Sequence, residues 1–143
     1  MCRCTPLQRE LYTGRISGPL LDRIDLCVDV PWVPPDVLGD ERPQESSVAI
    51  RARVLRARDR QAARSDETGV RLNSLLKGRM LRQFAKLDAD GRALLAAAVH
   101  RLALSGRAHD RILRVSRTIA DLAGDADVRS EHLAEALQYR LLS

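Results

Sequence analysis

Arginine carries the recurrent chemistry of this sequence. Of its 24 basic side chains only Lys77 and Lys86 are lysines. Over the stretch 105–123, Arg107, Arg111 and Arg114 fall within about 60° of one another at the 100° per residue of an α-helix, with Arg117 beside them. Ala108, Ile112, Val115, Ile119 and Leu122 form the adjacent apolar stripe. Guanidinium groups stay protonated and offer a planar fork of donors, and a helix start adds partial positive charge. Such a row suits an anion, a phosphate above all. The same pattern also describes arginines on the solvated face of an amphipathic helix, and spacing alone does not choose between the two.

The other chemistry-bearing residues form no catalytic constellation. There is no GxxxxGK[ST] loop to cradle phosphates, no GxGxxG after a strand, no HExxH, and no cysteine spacing of a zinc finger. Cys2 and Cys4 supply two thiolates at most, half of a tetrahedral site. Cys27 reads as structural, and His100, His109 and His132 are isolated. Three cysteines cannot frame a disulfide scaffold, so a reducing, cytoplasmic setting is expected. No apolar run approaches the ~18–20 residues of a membrane span, and nothing after Met1 has the build of a signal peptide.

The elements that must position these arginines differ along the 143 residues. Residues 1–45 hold five basic and eight acidic residues, whereas 46–143 hold nineteen and eleven. A basic helical region suits a polyanionic partner such as nucleic acid. Thr5-Pro6 predicts a short capped helix to Tyr12, closed by Gly14, and Ser17-Gly18-Pro19 a further brief turn. Ile24, Leu26, Val28 and Val30 alternate with Asp25, Cys27 and Asp29, which predicts a half-buried strand. No second strand is predicted to pair with it, so its partners are expected upstream of this chain. Residues 31–45 hold four of the six prolines and read as a linker, in which Trp32 is the lone candidate anchor.

From Ser46 the pattern is helical. Ser46 or Ser47 caps a helix with Ile50, Val54, Ala57 and Gln61 on one face and six arginines between 51 and 64 on the rest. Residues 65–73 interrupt it, and a short piece follows around Leu75–Phe84. Asp88 or Asp90 caps a run with Leu94, Leu95, Ala98, Val99 and Leu102. Ser105 caps the arginine helix, which Gly124 ends, and Ser130 caps a last one with Leu133, Ala136, Leu137 and Leu141. The fold class is therefore all-α, a bundle of four or five helices over 46–143, preceded by a poorly ordered remnant of an α/β core (1–30) and the linker (31–45).

Three long blocks and one short one resemble a known family in the right order. CRCTPLQRELYTGRISGPLLDRIDLCVDVP, ESSVAIRARVLRARDRQAAR, LSGRAHDRILRVSRTIADLAG and HLAEALQYR look like the C-terminal part of the magnesium-chelatase-like AAA+ ATPases of the ComM/YifB type. The resemblance implies the end of the ATPase core followed by its helical lid, with the Walker motifs upstream of this chain. The chain alone would then hydrolyse no ATP. ATP and Mg2+ would belong to the intact parent, and the chain's partners would be its own N-terminal core and the other subunits of a homo-oligomeric ring, a hexamer.

The resemblance also assigns roles. Arg23, in GPLLDRID, resembles the arginine finger that reaches the ATP site of the neighbouring subunit. Arg107, in LSGRAHDR, resembles the sensor-2 arginine of the lid, with Arg111 and Arg114 in weaker supporting positions. Family members usually carry alanine where this chain has Gly106. ComM-type members imply a DNA branch-migration motor. Two alternatives remain: the lid of a magnesium chelatase subunit, and an autonomous basic DNA-binding module.

Overall fold

Side-chain caps set the starts of four helices in this computed structural model, which describes residues 4–21, 23–38 and 44–141. Thr5 accepts from the Gln8 N–H and Gln8 returns the bond to Thr5, a capping box that opens α1 (Pro6–Thr13). One-turn helices α2 (Gly18–Leu21) and α3 (Pro35–Leu38) follow. Ser46, the first of the two candidate serines, accepts from Ala49 and starts α4 (Ser47–Ala63). One-turn α5 (Ser65–Thr68) ends at Gly69, whose φ of 69° is the left-handed conformation glycine tolerates. A 3-10 turn at Asn73–Leu75 leads to α6 (Gly78–Phe84). Asp88 caps α7 (Ala89–Arg101), and Ser105 caps α8 (Gly106–Ala123), which ends at Gly124 with φ 91°. The last helix is α9 (Ser130–Leu141).

The protein is all-α, as its pattern predicts. The central helix is α8, against which α4, α6, α9 and the 3-10 turn pack, while α7 packs on α9. The core is aliphatic because aromatics are scarce. Leu76, Leu81, Leu95, Ile112, Leu133 and Leu137 are among its large buried apolar members. An isolated parallel bridge between Leu87 and Val128 ties the α6–α7 connection to the α8–α9 loop.

Three expectations need correction. The alternating run 24–30 forms no strand. It has no regular secondary structure and bends at Asp25, and its apolar side chains grow more exposed along the chain, from 38% at Ile24 to 81% at Val30. The reason is the absence of a pairing edge among the described residues: alternation gives a strand only where a neighbour takes up the backbone N–H and C=O groups. Trp32 is exposed rather than an anchor. Ser130 does not cap α9. Its place is taken by His132, whose Nδ1 accepts from the Arg129 N–H at 3.1 Å. Cys2 lies outside the described residues, as does the side chain of Leu141, and Cys4 is exposed.

The buried face of α8 also differs from the predicted stripe. Ala108 and Ile112 are buried, but so are Leu113, Ser116, Arg117, Ala120 and Asp121, whereas Leu122 is 40% exposed. A helix packed on several sides buries a wider arc than its apolar residues mark.

Candidate functional site

Short backbone devices place the start of α8. At the end of α7 the Leu102 N–H donates to Ala98 and the Leu104 N–H to Val99. Between them Ala103 takes φ 46°, a left-handed turn that swings the chain into the Ser105 cap. Arg107 is the second residue of the helix. It is exposed, and its side chain has no hydrogen-bond or ion-pair partner among the described residues. The first N–H groups of an α-helix lack intrahelical acceptors, so this end favours negative charge.

The other arginines of the predicted row go elsewhere. Arg111 lies one turn on, and its Nε pairs with Asp25 Oδ1 at 2.9 Å. Its side chain is only 15% exposed, and its Nη1 is buried without an acceptor. Arg114 donates from Nη1 to the Leu76 carbonyl at 3.3 Å. It also lines an open groove of about 270 Å3 with Asp25, Leu26, Val115, Ile119 and Tyr139.

Arg117 is 2% exposed and faces the interior, not the row. Its Nη1 donates to the carbonyls of Ala126 (2.6 Å) and Phe84 (3.4 Å). Its Nη2 reaches the Asp125 carbonyl (2.7 Å) and Asp121 Oδ1 (3.1 Å). Burial lowers this guanidinium's pKa from its ordinary value; Asp121 opposes the shift and nearby Arg64 adds to it. The spacing of Arg117 and Asp121, four residues apart, was a legible signal for this pair. Nothing local pointed to Arg64.

Arg23 sits in a turn after α2, exposed, with no side-chain partner among the described residues. Asp22, one of the two carboxylates that could have neutralised it on the surface, lies outside the described residues, and Asp25 is engaged with Arg111. Among the described residues, Arg23 and Arg107 are thus the two predicted site residues whose guanidinium has no partner.

Asp125, Glu131 and His132 bring three potential ligand atoms within 4.8 Å of one another. Their hydrogen bonds account for the cluster without an ion. The Arg129 N–H can only donate, so His132 Nδ1 accepts and Nε2 carries the proton that faces Asp125 Oδ2 at 3.1 Å. The Arg129 guanidinium meets both carboxylates, Asp125 at 3.1 Å and Glu131 at 3.4 Å. No helix among the described residues is long and apolar enough to cross a membrane.

Sequence comparison divides the chain in the same way, into a helical bundle and a shorter leading segment. Residues 44–140 match the family model described as magnesium chelatase, subunit ChlI C-terminal, and residues 1–38 match that of magnesium chelatase, subunit ChlI. Among curated relatives, the uncharacterized protein YifB of Escherichia coli (strain K12) is 41% identical over 141 residues, 98% of this chain. The competence protein ComM of Haemophilus influenzae is 40% identical over 141 residues, also 98% of this chain. An uncharacterized protein of Mycobacterium tuberculosis (strain ATCC 25618 / H37Rv) is 35% identical over 139 residues, 97% of this chain. The chain spans 27% of the length of each of these relatives. With the C-terminal model covering the whole helical bundle, this chain belongs to the magnesium chelatase subunit ChlI C-terminal family.

Proposed function

We propose that this chain is the lid and subunit-interface part of a ring-forming AAA+ ATPase. In this reading Arg107 contacts the γ-phosphate of ATP bound by the chain's own core, and Arg23 reaches the ATP site of a neighbouring subunit. The observation that carries it is Arg107 itself. In a chain of this family, it is exposed and unpartnered among the described residues at the capped start of the longest described helix. A fixed guanidinium beside unpaired helix N–H groups stabilises charge on a transferring phosphoryl group at no cost in reorganisation. Arg111 and Arg114 support it from the following turns with the donors that Asp25 and Leu76 leave over. ATP, and the Mg2+ that neutralises its phosphates, would be held by the core. Of this chain's own carboxylates, Asp125 and Glu131 are already met by Arg129. The ring is a homo-hexamer in the cytoplasm, and the motor a ComM-type DNA branch-migration helicase.

The test is ATP turnover of the full-length protein that carries this chain. Arg107→Ala and Arg23→Ala should each lower turnover at least about 100-fold, since an arginine finger contributes 10³–10⁵. Mixing Arg23→Ala subunits with subunits defective in the Walker lysine should restore part of it, because the finger of one serves the intact site of the next. Wild-type turnover in both arginine variants would end this reading.

One observation favours a second reading, autonomous DNA binding. Arg51 and Arg56 on α4 are exposed and unpartnered among the described residues. In that case the 143-residue chain should bind duplex or single-stranded DNA at low salt, with affinity falling steeply as salt rises. No binding at micromolar protein excludes it.

A further inference from the structure

The four residues after Arg23 are fastened to the lid at several points. The Asp25 carboxylate pairs with Arg111 Nε at 2.9 Å, and Arg140 Nη1 donates to the Ile24 carbonyl at 3.4 Å. The Cys27 N–H donates to the Tyr139 carbonyl at 3.0 Å. Leu26, between them, lines the groove with Val115, Ile119 and Leu122 of α8. Of these ties, the charge pair is the one that cannot be given up without consequence. Arg111 is largely covered, and its Nη1 already lacks an acceptor. Without Asp25, a largely covered cation would lose its counter-charge as well.

The placement of this pair matters because of what flanks it. Arg23 is two residues before Asp25, no more than about 7 Å of backbone. Arg107 is one turn before Arg111, about 6 Å along the helix axis. We infer that the Asp25–Arg111 ion pair is a latch that makes the position of Arg23 follow that of α8. Arg111 is then a positioning residue, holding the finger loop to the same helix that carries Arg107. A lid that shifts on meeting nucleotide in its own subunit moves the arginine offered to the next. This inference rests on the roles proposed above for Arg23 and Arg107.

Two readouts separate the latch from those roles. In the 143-residue chain, Asp25→Ala should speed hydrogen exchange of the Cys27 amide about fivefold, the upper range for one partly exposed charge pair. The Leu133 amide in the α9 core should be unaffected. The swapped pair, Asp25→Arg with Arg111→Asp, should slow Cys27 exchange again. Unchanged Cys27 exchange in Asp25→Ala overturns the latch. In the full-length protein, Asp25→Ala should lower kcat for ATP with KM unchanged. If Cys27 is released while kcat stays at wild type, and Arg23→Ala loses turnover, the coupling is overturned and the role of Arg23 stands. If Arg23→Ala and Arg107→Ala both turn over normally, the functional reading fails instead, and Cys27 exchange still decides whether the latch exists.

Discussion

Arg64 and Asp121, 57 residues apart in sequence, close a two-pronged ion pair, Nη1 to Oδ1 at 2.9 Å and Nη2 to Oδ2 at 2.5 Å. Asp121 is fully buried and also accepts from Arg117 and from Asn73 Nδ2 at 2.8 Å. Asn73 is linked in turn to Thr118 through Nδ2, and its N–H donates to Gln61. One carboxylate thus joins the end of α4, the 3-10 turn and α8. Two guanidiniums on a single carboxylate leave a net positive charge, which the carbonyls of Phe84, Asp125 and Ala126 take up around Arg117.

Asp121→Ala should therefore be among the most damaging single changes. It strips a counter-charge from two arginines and an acceptor from Asn73, a loss of about 3–5 kcal/mol for a broken buried pair. Urea denaturation followed by circular dichroism reads it as a lower midpoint. Asn73→Ala is the milder companion, about 1–3 kcal/mol, and should still give a complete folding transition.

At the start of α8, cap and charge should separate. Ser105→Ala removes the acceptor for the Ala108 N–H and should cost about 1 kcal/mol of stability. Arg107→Ala removes an exposed side chain without a partner among the described residues, so its stability should stay within about 0.5 kcal/mol of wild type. A thermal melt of both, set beside ATP turnover of the full-length variants, checks this. An Arg107→Ala melt lowered as far as that of Ser105→Ala would show the arginine to be structural.

The two small residues flanking that cap stand in each other's best places. Ala103 occupies φ 46°, a conformation that favours glycine, so Ala103→Gly should stabilise by about 0.5–1 kcal/mol. Gly106 has ordinary helical φ, and a Cβ there meets nothing within 4 Å. Gly106→Ala should add about 0.4–1 kcal/mol by restricting the unfolded chain. Denaturant midpoints of the two single variants test each gain, and those of the double test whether they add.

Tyr139 supplies a pH-dependent signal. The neighbouring Glu135 carboxylate pushes its phenol above the ordinary 10.0, chiefly through charge and also through a 3.3 Å hydrogen bond. With the folded value raised, the contribution to stability is intact below 10 and is lost as pH rises through the folded value. Absorbance titration of the phenolate should show one tyrosine titrating late, and Glu135→Gln should bring it back toward 10.0.

Much of the fold was legible locally. Ser46, Asp88 and Ser105 cap the helices they precede, and Gly124 ends α8, because a cap is a bond between residues three or four apart. Alternation in 24–30 misled because strand formation depends on a partner that no pattern within the run can supply. The site divided in the same way. Spacing and the Ser105 cap put Arg107 at a helix start, but its candidate role, like that of Arg23, came only from the resemblance of its block.

What the sequence determined by itself was the helices, their ends, and which arginines share a face with Arg107. Only the tertiary structure decided what each guanidinium does: Arg117 is taken into the core, Arg111 is held by Asp25, Arg114 is turned to the Leu76 carbonyl, and Arg107 is left presented at the surface. The physical reason is that helical periodicity is a property of neighbours in sequence. Whether a charge is satisfied depends on acceptors delivered from remote segments, here residues 25, 76, 84 and 125–126, whose arrival is set by how the helices pack.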